Sequence, residues 1–600
     1  MLALAKVQAI AISVILLMLL STLSIFSTVS VNAQVTGPRR GGTDVYSEPF
    51  DPPYLNPAID SGLTVHSASD LAYNSLVETD MNFAIRPGLA EKWDISSNGT
   101  IFTFHLVKNA TWHDGQRFTS ADVKFTFEKI LVPYNPAGKP NFGGISSITT
   151  PDDYTVVFNL SKPSPSFLLF VGSTYNAPIM PKHIWQNSTD NLNAIRNNTA
   201  TNHPIGTGAF MFKEWGKGDH ITYVRNPNYW RAGKPYIDSF IFKVIPDEQT
   251  QVQALLKGEI NRMWIWLSPQ AFLQLEGKPG LTSYRESPGA AGLFLVTMLY
   301  FNLDNPILKN LQVRQAIAYA INRSEISRLA TQGLQGPAVG PVHKSTAWAY
   351  DTNLQPTYPT DITKANALLD QAGYPRAANG TRFTMRINDY QTYFGNIIDV
   401  IKDQLSKVGI QINHETFAPA VAQERLWFDR NFDMGVRIYL AGPDPSIALQ
   451  ATFAASSVGA GTNTNAEDYK STQADTLLTQ AQTELDSAKR RQEMLQWQSI
   501  IMTDLPGYPL LQPILPEALS NQWHAWPANP WGSGSMSLEN EWWEGGTPIT
   551  STTQTTTTGV TPGTGGLDLY TLSIVAAAAI VVVLVGIVVV RRGRKGPSGP

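Results

Sequence analysis

His113, Asp114 and Gly115 stand side by side. An imidazole next to a carboxylate is a pair from which general acid–base catalysis can be built. Asp-Gly is also a turn former, and a turn just before the helix opened by Thr119 is the preferred reading. His105 alternates with core residues along a strand and reads as a satisfied surface or interdomain histidine. The 9 histidines are scattered, with no H-x-H or H-x-x-x-H spacing, so no metal site is expected. No G-x-S-x-G elbow appears, although a triad assembled from distant positions stays open. The chain has 0 cysteines, which excludes disulfides, Cys-ligated zinc, thiol catalysis and a lipid-modified N-terminal cysteine. No convincing catalytic set and no cofactor site are read from these residues.

With a formal net charge of −3 and no basic stripe, nucleic acid is not an expected partner. Aromatics are abundant. Trp264 and Trp266 flank Ile265, so in a strand both would share one face, and Trp523, Trp526, Trp531, Trp542 and Trp543 follow near the end. Most aromatics in a large fold are core, and a minority line ligand pockets.

The elements that must position such residues alternate between strand and helix. Phe102, Phe104 and Leu106 alternate with Thr103 and His105, and Tyr154, Val156, Phe158 and Leu160 repeat the pattern with Asn159 on the opposite face. Between them Thr119 to Asp122 has the form of a capping box, opening a helix whose Val123, Phe127, Ile130 and Leu131 share a face. Later stripes run through Val313, Ala316, Ile317, Ala320 and Ile321, through Ala365, Leu368, Leu369 and Ala372, and through Ile397, Ile401, Leu405 and Val408. Gly373 and Gly409 close the last two, and a strand through Ile410 and Ile412 follows. Helix followed by strand, repeated, predicts an α/β fold with partly parallel sheets.

Both ends are apolar. Residues 1–33 read as a signal peptide, with Lys6, an apolar run from Val7 to Ile25 and the cleavage sequence Val31-Asn32-Ala33. Residues 547–566 form a Thr/Ser/Gly/Pro-rich linker, expected to stay extended. Residues 569–590 are an uncharged run long enough to span a bilayer at about 1.5 Å per residue. Residues 591–600, beginning Arg591-Arg592, are then a cytoplasmic tail, and the large middle lies outside the cell on a C-terminal membrane helix. Sequons at Asn98, Asn109, Asn159, Asn187, Asn197, Asn322 and Asn379 suit an exported glycoprotein.

Within residues 34–546 the motifs resemble a known family. Arg86 to Trp93, Phe102 to Leu106, Trp112 to Gly115, Gly206 to Phe210, Asn226 to Trp230, Phe301 to Asp304, Val313 to Ile317, Gln371 to Tyr374 and Asp504 to Pro506 follow in one order. That order is similar to the family 5 extracellular solute-binding proteins, the oligopeptide- and dipeptide-binding receptors of ABC importers. The resemblance implies a two-lobed periplasmic-binding-protein-like α/β fold with an extra inserted domain and a ligand cleft between the lobes. Lobe I maps to about 40–60, 205–285 and 511–546, the inserted domain to about 61–204, and lobe II to about 286–510. The implied partners are a permease and an ATPase. With the C-terminal anchor and the sequons, an archaeal cell surface fits.

The resemblance also implies two cleft segments. One follows Leu55-Asn56-Pro57 and points to Ser61, Gly62, Leu63 and Thr64. The other precedes Asp444-Pro445 and points to Arg437 through Gly442, with Tyr439 and Ala441 among them. Backbone groups there would pair with an extended ligand in strand fashion. Peptide binders of the family place an acid just before the Asp/Glu-Pro pair to hold the ligand's α-ammonium, but Met434 to Pro443 contains none. Asp444 is the nearest candidate. The alternative is a ligand without an ammonium, such as an oligosaccharide held by stacking on tryptophan. A surface enzyme or structural glycoprotein is the third possibility.

Overall fold

The computed structural model describes residues 37–80, 83–263, 267–286, 294–389, 394–440, 442–460, 464–513, 515–524 and 538–548. The signal peptide, the membrane segment, the basic tail, Trp264, Trp266, Trp526, Trp531 and Ala441 lie outside these residues, as does the linker beyond Pro548. Among the described residues no helix is long and apolar enough to cross a membrane.

The chain opens with strand β1 (Thr43–Glu48) and helix α1 (Leu63–Ser69). It then builds an antiparallel sheet from β2 (Ala90–Ile95), β3 (Ile101–Leu106), β4 (Ile145–Asp152) and β5 (Thr155–Leu160), in the order β2-β3-β5-β4. The alternation read in the sequence is seen directly: Phe102, Phe104, Leu106, Val156, Phe158 and Leu160 are buried on one face. Helix α2 (Ser120–Phe125) begins with a capping box between Thr119 and Asp122, and it continues through a π-helical stretch to Leu131. Val123, Phe127, Ile130 and Leu131 are all buried as their spacing requires. A short helix α3 (Phe167–Val171) follows, with Ser166 as its N-cap residue.

The chain returns to β1 with β6 (Phe210–Gly216), β7 (His220–Arg225) and β8 (Ser239–Val244), giving the order β1-β8-β7-β6, with β1 parallel to β8. Strand β9 (Leu281–Tyr284) comes next and later pairs with β16 (Glu517–Ser520). Arg262 joins the two pieces through bridges to Tyr46 and Leu519. Its guanidinium is buried between the carboxylates of Asp44 and Glu541, at 3.2 Å from the latter. Those two carboxylates offset part of the cost of burying this cation.

Residues 295–512 form a second sheet. Its strands are β10 (Leu295–Phe301), β11 (Gly336–Pro337), β12 (Phe383–Asp389), β13 (Ile410–Thr416), β14 (Met434–Leu440) and β15 (Gly507–Gln512). The order is β11-β15-β10-β14-β12-β13, antiparallel around β10 and parallel between β12 and its neighbours β13 and β14. Helices α4 (Leu311–Ala320), α5 (Ile362–Gln371) and α6 (Gly395–Ser406) pack their apolar stripes on one face of this sheet. Helix α7 (Pro445–Phe453) and the long α8 (Ser487–Asp504) contribute to a separate core on the other face. The six-stranded sheet has cores of its own, whereas the two earlier sheets share one core.

The turn reading of His113-Asp114-Gly115 is seen: Gly115 has φ of +85° and its N–H donates to the Trp112 carbonyl at 2.9 Å. His113 pins this turn to the loop at Gly206. Its Nε2 lies 3.0 Å from the Gly208 carbonyl, and its Nδ1 accepts the Gly206 N–H at 3.2 Å. That pattern requires the neutral tautomer, and burial pushes its pKa down to about 4. Glycine is needed there, because a Cβ on Gly206 would lie 1.7 Å from the Ala72 carbonyl oxygen. One boundary differs from the composition reading. Thr547 and Pro548 pair antiparallel with Arg40 and Arg39, so the ordered body runs past Gly546.

Candidate ligand cleft

The two expected segments meet across the lobes. Leu63, the first residue of α1, and Ile438 of β14 both pack against the buried pair Leu295 and Leu515. The first lobe therefore offers the N-terminal turn of α1 to the strand expected to face a ligand.

The loop before α1 is braced from within. The Ser61 carbonyl accepts the Tyr175 hydroxyl at 2.8 Å, and the Gly62 N–H donates to Asp60 Oδ1 at 2.5 Å. His66 Nε2 lies 3.2 Å from the Asp60 carbonyl and its Nδ1 2.9 Å from Asp70, while the Tyr175 ring sits 4.3 Å from the imidazole. Backbone groups at 60–62 are thus engaged internally, and strand-like pairing with a ligand would have to displace them. Ser61 is exposed, and Leu63 and Thr64 are half-buried. Beneath Thr64 lies Glu48, fully buried at the end of β1. Burial pushes its carboxyl up to about 8 against hydrogen bonds from Ser67, Tyr46 and Thr64. Sequence reasoning did not find Glu48, because its burial arises only when α1 is laid over β1.

On β14 the side chains alternate. Ile438 packs on the Leu295–Leu515 pair that Leu63 also covers, whereas Arg437 and Tyr439 point into the opposite core. Arg437 is ion-paired with the buried Glu467, donates to the Thr464 carbonyl at 2.9 Å and stacks 5.0 Å from the Tyr300 ring. Tyr439 donates its hydroxyl to the Pro341 carbonyl at 2.7 Å. Neither side chain is turned toward Leu63. Ala441 lies outside the described residues.

Asp444 is buried and fully engaged. It N-caps α7, with Oδ1 accepting the Ser446 N–H at 3.1 Å and the Ser446 hydroxyl at 2.7 Å. Its Oδ2 accepts from Arg490 and from Ser166, which belongs to the other lobe. Arg490 stacks 4.4 Å from the Trp348 ring, whose Nε1 donates to the Pro443 carbonyl at 3.1 Å. Asp444, the nearest candidate for a ligand's ammonium, is thus paired with Arg490.

Other contacts join the lobes nearby. Phe83 lies 5.1 Å from Phe294, Ile447 of α7 packs on the first-lobe core, and Gly99 sits under Leu485. Gly99 has φ of +65°, and a Cβ there would come within 2.8 Å of Leu485 Cδ2. Beside α1 a cavity of about 160 Å³ is lined by Asp70, Tyr73, Glu78, Asp80, Arg86 and Glu539 among others. Its carboxylates are paired internally: Asp70 with His66, Asp80 with Arg86, Glu78 and Glu539 with Arg231, and Glu539 also with Lys234. Among the described residues no group of His, Asp and Glu is arranged to hold a metal ion.

Residues 84–461 match the family described as bacterial extracellular solute-binding proteins, family 5 Middle. The chain is 30% identical over 396 residues to the dipeptide-binding protein of Escherichia coli (strain K12), covering 62% of this chain and 72% of that protein. It is 26% identical over 515 residues to heme-binding protein A of Haemophilus influenzae, covering 82% of this chain and 90% of that one. Among solved structures it is similar to the ABC transporter-associated periplasmic binding protein of Helicobacter pylori in complex with a peptide. There the TM-score is 0.70 at 28% identity, covering 84% of this chain and 99% of that one.

Proposed function

Because the chain belongs to the family 5 bacterial extracellular solute-binding proteins, we propose that it is the extracellular receptor of an ABC importer. It captures dipeptides or oligopeptides between its lobes and delivers them to a membrane permease driven by an ATPase. The observation that carries this reading is the likeness, across 84% of the chain, to a binding protein solved with a peptide. The packing of Leu63 and Ile438 on the same Leu295–Leu515 pair supports it. Binding acts through closure: ligand contacts made in both lobes at once favour the closed form, whose shape a permease distinguishes from the open one.

The ligand lies along Ser61, Leu63 and Thr64 and along Ala441. Arg437 and Tyr439 act from beneath the strand as braces, and Asp444 acts at the lobe junction. The sheet β2-β3-β5-β4 supports an inserted domain within about 61–204, and the sheet built from 295–512 supports a second lobe over about 286–510. The body is exported by the signal peptide and held by the helix at 569–590, an arrangement that suits an archaeal surface; its support is the apolar run followed by Arg591, Arg592, Arg594 and Lys595.

One observation favours a second reading. The Asp444 carboxylate is paired with Arg490, and β14 carries no acid, so a ligand ammonium finds no partner there. A ligand without an ammonium, such as an oligosaccharide, meets no such cost. A thermal-shift screen separates the two. Ligand at 100 times its dissociation constant stabilises by about 2.7 kcal/mol. A response to free peptides supports the first reading, a response to cello- or malto-oligosaccharides alone supports the second, and steady turnover of a ligand defeats both.

A further inference from the structure

Ser166 occupies the N-cap position of α3, yet its side chain makes no capping bond to that helix. An N-cap serine ordinarily gives its oxygen to an N–H of its own first turn. Here the hydroxyl, on a residue only 1% exposed, crosses to the other lobe instead. It donates to Asp444 Oδ2 and accepts from Arg490 at 3.1 Å. The receiving pair is assembled entirely within the second lobe. Asp444 is fixed by capping α7, and Arg490 is fixed by the Ala481 carbonyl at 2.7 Å and by the face of Trp348. The first lobe thus needs to supply a single hydroxyl to complete a buried, charge-assisted arrangement. Ile447, three residues beyond Asp444, packs on the first-lobe core, and Ser166 and Asp444 are both buried, so the bond is shielded from water.

We infer that Ser166 is a positioning residue whose hydroxyl clasps the prebuilt Asp444–Arg490 pair and sets the open-to-closed equilibrium of the lobes. Asp444 follows directly on the segment expected to face the ligand, so the clasp and the ligand act on the same closure. Ligand affinity then depends in part on a residue that does not touch the ligand, because affinity scales with the population of the competent form. This builds on the receptor reading, but its test needs no ligand, so either can fail alone.

The chain contains no cysteine, so Glu91→Cys and Lys402→Cys, two exposed positions on the two lobes, provide a unique pair of label sites. Distances between spin labels on the full chain report the lobe populations. Ser166→Ala is expected to raise the open-to-closed ratio about tenfold, the size of one hydrogen bond to a charged group. In an Asp444→Asn background the same substitution should change the ratio far less, since the two act as one unit. An unchanged distance distribution in Ser166→Ala overturns the inference. So does an equal effect in both backgrounds, which would place the hydroxyl's role within its own lobe.

Discussion

At the scale of single residues, the buried charges carry the clearest consequences. Glu48 holds its proton to about pH 8 in the folded protein, whereas the unfolded chain releases it near the ordinary carboxylate value of 4.5. Between those values the folded state binds the extra proton, so stability is full at low pH and is lost as pH rises toward 8. Glu48→Gln, which keeps the shape without the titration, is expected to flatten this slope in denaturant melts between pH 5 and 9. A slope identical to the parent's would show that another group carries it. Arg262 gives a sharper test. It stands between the buried carboxylates of Asp44 and Glu541 and bridges two strands of the first-lobe sheet. Arg262→Ala leaves both carboxylates without their cation and should cost about 3–5 kcal/mol in urea unfolding.

At the scale of elements, local signals and tertiary placement separate cleanly. The Thr119–Asp122 box, the glycine stops at Gly373 and Gly409 and the alternation of Phe102, Phe104 and Leu106 are set within a few residues, and the structure shows each one. Thr119→Ala should therefore cost about 1 kcal/mol and leave ligand response unchanged, a result read from paired melts with and without ligand. β14 shows where such reading stops. Its alternation is visible in the sequence, but which face meets the other lobe is decided by its neighbours. Ile438 packs on the Leu295–Leu515 pair that Leu63 also covers, and Arg437 faces Glu467, a partner 30 residues away in the chain. α7 is similar: its Asp-Pro start predicts a helix cap, which is seen, and nothing local announces Arg490 or Ser166.

At the scale of the molecule, the proposed function rests on two lobes that close over a ligand. Ligand should reduce the radius of gyration in solution scattering and be recovered unaltered by mass spectrometry, and a chemically changed ligand would contradict a receptor. The strand pair of Arg39–Arg40 with Thr547–Pro548 sets where the body can be cut. Truncation after Ile549 should keep the melting temperature and ligand response of the whole chain, whereas truncation after Gly546 removes that pair and should lower the melting temperature.

The sequence by itself determined the α/β class, the order of motifs that marks the family, the absence of thiol chemistry and the turn at Asp114-Gly115. These depend on composition, on period and on contacts between near neighbours, which the chain carries in its local order. The tertiary structure alone decided that Asp444 is paired rather than free, that Arg437 and Tyr439 face a core, and that Ser166 serves a helix other than its own. Such roles are fixed by groups well separated in the chain: Asp444 and Arg490 are 46 positions apart, and Ser166 and Asp444 are 278 apart. A buried polar group takes whichever partner the fold brings within hydrogen-bond reach, and that choice has no period to be read along the chain.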